Sequence, residues 1–315
     1  MPALFPAPQE PNTMTRTFAA ADIGSNTAHL LVAASDGELV MRIDNYSEWV
    51  PLGEVVARTK AIPKDTTDQL VLAIKEFRRM AQAKRAESLY VFATEAVRAA
   101  NNHQQALKRI REETGVAVDV ITPAREAELS LRGATLDCRH LGADLMLEVG
   151  GGSAQIAVLE KNSLVEEESL RLGTGRVIAE ANLANPCPDY AMNAALNYLE
   201  STLDKGTIRH RSKMTVACGG VVRGLWRALH PDGEKVLARE EIEYIIWATS
   251  RLTTDRIISR FGVKPKRAGT LLPGALIYRA LMQRFGASQI AVSEFGVREG
   301  AVLEMADGKV EGSKP

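Results

Sequence analysis

Leu147-Glu148-Val149-Gly150-Gly151-Gly152-Ser153-Ala154-Gln155-Ile156-Ala157-Val158 sets an acid at the end of an apolar run, then three glycines, a hydroxyl and a second apolar run. The pattern occurs once before. Ala21-Asp22-Ile23-Gly24-Ser25-Asn26-Thr27-Ala28-His29-Leu30-Leu31-Val32 carries the acid, a β-branched residue, Gly, small or polar residues, a hydroxyl, Ala and a polar residue in the same order. The downstream residues repeat as well. Residues 28–34 alternate as a strand, Asp36-Gly37 is a hairpin turn signal and residues 38–44 return. In the second copy residues 154–159 run up, Lys161-Asn162 turns and residues 164–169 run back. One glycine-rich loop between strands is an ordinary tight turn; two with the same acid before and the same hydroxyl after make a duplicated binding loop.

Around the two copies, strands alternate with helices. Leu70, Ile74, Phe77 and Met80 mark an amphipathic helix, with Asp65 or Thr66 as its cap. Residues 89–93 read as a buried strand, 104–114 as a helix closed by Gly115, and 116–121 as a strand. Pro123 suits the first turn of a helix over 124–136. Later helices are expected over 190–203, 222–229, 240–261, 271–285 and 297–305, with strands over 214–218 and 290–293. This alternation predicts an α/β protein with ligands at loops beyond the strand ends. The expected division is a disordered leader over residues 1–16, a first domain over 17–125 and a second over 126–296. A C-terminal helix over 297–309 is expected to pack back on the first domain, and the two domains to close around a cleft.

Bulk composition bounds the function. The chain has 315 residues, with Lys plus Arg and Asp plus Glu both equal to 39, so it lacks the overall basic excess of a general nucleic-acid binder. Cys138, Cys187 and Cys218 are few and widely spaced, which fits a reducing cytoplasm and not a disulfide framework. The proline-rich leader lacks the apolar core of a signal peptide, and no run approaches the roughly 18 apolar residues of a membrane span. A cytoplasmic protein with no membrane or nucleic-acid partner is expected.

Glycines without Cβ atoms let backbone N–H groups converge on an anion, and a hydroxyl adds a donor. Gly24, Ser25, Asn26 and Thr27 in one loop are expected to face Gly150, Gly151, Gly152 and Ser153 in the other and grip successive phosphates from opposite sides. Asp22 and Glu148, at the strand ends, can hold a magnesium ion or orient water. Glu126 is either a base whose carboxylate the helix N-terminus keeps ionised or a plain helix-start glutamate. Arg98, in Ala93-Thr94-Glu95-Ala96-Val97-Arg98, is either a phosphate fork or a surface arginine. Other chemistries fail on inspection: Gly150-x-Gly152-x-x-Gln155 lacks the third glycine of a dinucleotide loop, and there is no G-x-x-x-x-G-K-[ST]. Cys218 and Arg223 are one residue short of the C-x5-R cradle, and the histidines show no metal spacing.

With these residues in view, the chain resembles the exopolyphosphatase / guanosine pentaphosphate phosphatase (Ppx/GppA) family of the actin, sugar kinase and chaperone ATPase superfamily. Further matches are Ser169-Leu170-Arg171-Leu172-Gly173-Thr174-Gly175-Arg176, Leu272-Pro273-Gly274-Ala275 and Ser293-Glu294-Phe295-Gly296-Val297-Arg298-Glu299-Gly300. The resemblance implies two ribonuclease-H-like domains flanking an active-site cleft, and magnesium-dependent (or manganese-dependent) attack of water on a terminal phosphate. It implies Glu126 as catalytic, with Glu148 beside it holding water or metal, and Gly24 to Thr27, Arg98 and Gly150 to Ser153 as phosphate-binding; Asp22 is kept as a metal ligand from its strand-end position. The implied substrate is inorganic polyphosphate or guanosine pentaphosphate, the implied assembly a homodimer, and the chain a short form without C-terminal helical domains. Two departures stand out: the family usually has Asp at position 148 and Glu at position 155. They motivate a second reading, a catalytically weakened relative that binds polyphosphate or guanosine tetra- and pentaphosphate. A kinase of the same superfamily is a remote third.

Overall fold

The computed structural model describes residues 15–231 and 233–315. Of the expected leader, residues 1–14 lie outside the described residues, whereas Arg16 already opens the first strand.

The first half runs β1 (Arg16–Ile23), β2 (Thr27–Ser35), β3 (Val40–Trp49), α1 (Leu52–Thr59), α2 (Lys64–Ala83), β4 (Leu89–Ala93), α3 (Glu95–Arg98), α4 (His103–Thr114), β5 (Val118–Val120) and α5 (Pro123–Cys138). The second runs β6 (Leu145–Val149), β7 (Ala154–Glu160), β8 (Ser163–Leu170), α6 (Thr174–Ala181), α7 (Asp189–Leu203), β9 (Thr215–Cys218), α8 (Gly220–Leu229), β10 (Val236–Ala238), α9 (Arg239–Arg251), α10 (Thr254–Phe261), α11 (Pro265–Phe285), β11 (Gln289–Val292) and α12 (Val297–Ala306). The first sheet has the order β3-β2-β1-β4-β5, and the second β10-β11-β9-β6-β7-β8. In each, three antiparallel strands lead into parallel ones: β1 pairs β2 antiparallel and β4 parallel, and β6 pairs β7 antiparallel and β9 parallel. These are two α/β units of ribonuclease-H-like type, and the sequence duplication is a duplication of fold.

Both faces of β1 are buried, which explains its unbroken apolar run. Ala19, Ala21 and Ile23 join the cluster under α2, while Phe18 and Ala20 join the one formed with Leu129, Ala301 and Val302. The cores meet through α5, whose Leu129 packs on the first sheet and whose Ala134 and Cys138 pack on the second. Thr122 caps α5 by accepting from the Arg125 N–H at 3.2 Å, with Pro123 in the first turn. Helix α12 crosses α5 so closely that a Cβ on Gly300 would overlap the Leu129 carbonyl, and one on Gly133 the Gly296 carbonyl. It lies against β1 and β2.

Two expectations about helices need correction. The segment 240–261 is not one helix: Leu252 is extended (φ −98°, ψ 147°) between α9 and α10, placing its side chain against the second core. Thr253, Thr254 and Asp255 form the restart, and the apolar period concealed it. Helix α2 is led in by Pro63, with Lys64 and Asp65 already helical, so neither Asp65 nor Thr66 is its cap. Among the described residues no helix is long and apolar enough to cross a membrane.

Candidate active site

The two glycine loops have the same internal geometry. Gly24 N–H donates to the Thr27 carbonyl at 3.1 Å, and Gly150 N–H to the Ser153 carbonyl at 2.9 Å. Asp22 pairs with His29 across the first hairpin and Glu148 with Gln155 across the second, so the acids occupy equivalent positions. The loops meet face to face: a Cβ on Gly151 would fall 2.6 Å from Asn26 Nδ2, and one on Gly152 2.7 Å from Ser25 Oγ. A side chain at either position would have to push aside the Asn26, Ser25 or Glu95 side chains. Among the described residues the Gly151 and Gly152 N–H groups donate to no protein acceptor, which leaves them for an anion. Each loop is backed from below. Gly53 N–H donates to the Ser25 carbonyl at 2.6 Å, and Gly175 N–H to the Gly151 carbonyl at 2.9 Å, so α1 and α6 play matching parts.

Glu126, in the first turn of α5, is nearly buried beside these loops. Its carboxyl is pushed up from an ordinary 4.5 to about 8, first by burial and then by Glu148, with Arg98 opposing and Asp22 adding. The expected ionising effect of the helix N-terminus is therefore outweighed. A first-turn dipole contributes about 0.3–1 kcal/mol, less than one pKa unit at about 1.4 kcal/mol. Arg98 Nη2 stands 3.9 Å from Glu126 Oε2, and Nη1 donates to the Ile121 carbonyl, so Arg98 faces the cleft. Gln155 Nε2 donates to Glu126 Oε2 at 3.3 Å.

Glu148 is half-buried and its carboxyl is raised, first by desolvation and with Asp22 adding, against a hydrogen bond donated by Ser130 and the charge of Arg223. Ser130 lies one turn beyond Glu126 on α5, so a single helix supports both acids. Asp22 sits 3.4 Å from Arg298 Nε, which the start of α12 delivers. Asp22 thus raises the proton affinity of both glutamates and Glu148 that of Glu126, and Gln155 Oε1 is buried with no hydrogen-bond partner among the described residues. This is a hard, all-oxygen donor set, which fits a small divalent cation. Among the described residues no three His, Cys, Asp or Glu side chains already converge as a metal cage. Magnesium needs none, because it keeps waters and takes substrate phosphates as ligands.

The structure also brings in side chains that sequence reading missed. Arg176 of α6 is paired with Glu95 of α3 at 2.7 Å across the cleft. Arg223, Arg267 and Arg298 gather near His29, whose pKa falls to about 4, first through burial and partly through their charge, so its imidazole is neutral near neutral pH. A signal for α6 was present: Leu52-Gly53 follows the returning strand of the first copy and Leu172-Gly173 that of the second. No sequence signal joined the arginines, which come from helices remote along the chain.

The sequence profile of the Ppx/GppA phosphatase family matches residues 31–309. Exopolyphosphatase 1 of Mycobacterium leprae is 29% identical over 314 aligned residues, covering 93% of this chain and 90% of that protein. The crystal structure of an exopolyphosphatase from Cytophaga hutchinsonii superposes with a TM-score of 0.82 at 23% identity, covering 95% of this chain and 100% of that one. A Ppx/GppA family member from Aquifex aeolicus gives a TM-score of 0.80 at 23% identity, covering 94% and 99%. At such identities the two solved structures speak for the fold.

Proposed function

The chain belongs to the Ppx/GppA phosphatase family, and from that premise we propose that it is an exopolyphosphatase, releasing terminal orthophosphate from inorganic polyphosphate. Guanosine pentaphosphate, which presents a terminal phosphoanhydride to the same loops, is a further candidate substrate. The observation that carries the reading is the nearly buried Glu126, flanked by Arg98 and Gln155 beside two facing glycine loops.

In this reading the Gly151 and Gly152 N–H groups and the Ser25 and Ser153 hydroxyls hold the last phosphates. Positioning and charge stabilisation dominate phosphoryl transfer. Ionised Glu126 takes a proton from water as its oxygen bonds to the terminal phosphorus. The bond from that phosphorus to the bridging oxygen breaks, and the shortened chain leaves with the electron pair. Arg98 orients Glu126 and faces the phosphate, and Gln155 fixes the carboxylate. Asp22 and Glu148, with Gln155 Oε1, would hold magnesium or manganese, which neutralises phosphate charge when bound. Phosphate release from polyphosphate of defined length is expected with magnesium and is lost on chelation. Equal release by wild type and Glu126→Gln overturns the proposal.

A second reading draws on Glu148. Its burial and its bond from Ser130 draw the acid away from a metal, as suits a relative that binds polyphosphate or guanosine polyphosphates with little turnover. Tight calorimetric binding without release, and release gained on Glu148→Asp, favours it over hydrolysis.

A further inference from the structure

The single turn of α3 sends two side chains into the cleft. Arg98 at its end reaches Glu126, while Glu95 at its start reaches the second glycine loop. Glu95 and Arg176 are each only 14% exposed, although they come from opposite halves of the molecule. Arg176 is held twice more against that loop: its Nε donates to the Gly152 carbonyl at 3.1 Å, and its backbone N–H to the Gly151 carbonyl at 3.3 Å. The Glu95 carboxylate presses so closely on Gly152 that a Cβ there would overlap Oε2, with Ser25 Oγ 2.7 Å from the same point. A carboxylate is therefore already lodged beside Gly152 and the Ser25 side chain, held by the Arg176 guanidinium at 2.7 Å. Carboxylate and phosphate present the same acceptor edge to an arginine fork and to backbone N–H groups.

We infer that the Glu95 carboxylate is an internal stand-in for a substrate phosphate, and that Arg176 is a phosphate ligand which Glu95 occupies until a phosphoanhydride chain displaces it. This rests on the polyphosphate reading above. The Glu95 carboxylate fills the crowded junction at Gly152, so a phosphate entering there requires Glu95 to swing away. The two partners of this one ion pair then have opposite effects on binding. Glu95 competes with substrate and Arg176 attracts it. An ion pair that merely held the halves together would act with one sign, because removing either partner loosens the same contact.

The test is calorimetric binding of tripolyphosphate, at fixed magnesium, to proteins that all carry Glu126→Gln to suppress turnover. Added Glu95→Gln is expected to tighten binding by about tenfold and Arg176→Gln to weaken it by about tenfold or more, the range of one charged hydrogen bond. Glu95→Gln keeps the side-chain shape, and Arg176→Lys, expected to bind between wild type and Arg176→Gln, decides the matter should Arg176→Gln fail to fold. Weaker or unchanged binding in Glu95→Gln overturns the inference and leaves the polyphosphate reading standing. A parent protein that binds no tripolyphosphate overturns the polyphosphate reading itself.

Discussion

Glu126 is where function and stability pull apart. A base must be ionised, and this carboxyl has a pKa of about 8, raised mainly by burial. A cation bound by Asp22 and Glu148 offsets their charge and lowers that value. With magnesium, kcat/KM is therefore expected to rise with pH along a limb centred below about 8, and Glu126→Gln to lose about 10²–10⁴-fold in turnover with no such limb, as read from initial rates across pH. Stability runs the other way. Between the ordinary 4.5 and about 8 the folded protein binds the Glu126 proton more tightly than the unfolded chain does, so this group's contribution falls as pH rises. Glu126→Gln removes that loss, so its melting temperature should decline less than that of wild type between pH 6 and pH 9. The position of this residue was legible in the sequence; its protonation was not. Helix-start chemistry is local, whereas burial and the fields of Glu148 and Asp22 come from strands of both halves. The departures at 148 and 155 also gain partners: the longer acid meets Ser130, and Gln155 donates where a carboxylate would repel Glu126.

At the scale of elements, the strands and the two loops could be read from the repeat, because acid, glycine and hydroxyl recur at fixed offsets. The strand expected over 89–93 is β4 to the residue. The break between α9 and α10 and the small helices α1, α3 and α6 could not be read so well, since short helices carry too few turns for a period to show. Helix α5 matters most, since it carries Glu126 and Ser130 one turn apart and joins both cores. Its crossing with α12 needs Gly300, where an added Cβ meets backbone instead of a movable side chain. Gly300→Ala is expected to cost about 1–3 kcal/mol as overpacking, measured by urea unfolding. It should also disturb Asp22 through Arg298, two residues earlier on the same helix. Stability unchanged within a few tenths of a kcal/mol would mean that the helices can part there at no cost.

For the whole molecule, a formal net charge of zero conceals a cleft of uneven sign. Arg223, Arg267 and Arg298 converge from α8, α11 and α12, and Lys266 stacks on Trp49 of the opposite half with Nζ 5.3 Å from the ring centre. Arg223 is held below its ordinary value first by burial, with Glu299 opposing and the neighbouring Arg298 and Arg42 adding; Arg267 likewise by burial and then Arg227. Asp22 and Glu299 offset part of this crowding of like charge, and a polyanionic chain would offset more. Summed composition excluded a broadly basic surface but was blind to this corridor, which exists only after two halves fold and close. Low-dielectric walls lined by one sign of charge attract an opposite ligand from a distance, and salt screens that attraction. kcat/KM for polyphosphate is accordingly expected to fall about tenfold or more between low salt and roughly 0.5 M salt. Arg267→Gln should flatten that slope, because it removes one of the steering charges while leaving Glu126 and both loops in place. Rates that ignore salt, or a slope that Arg267→Gln leaves unchanged, would show that the chain enters by a route these arginines do not line.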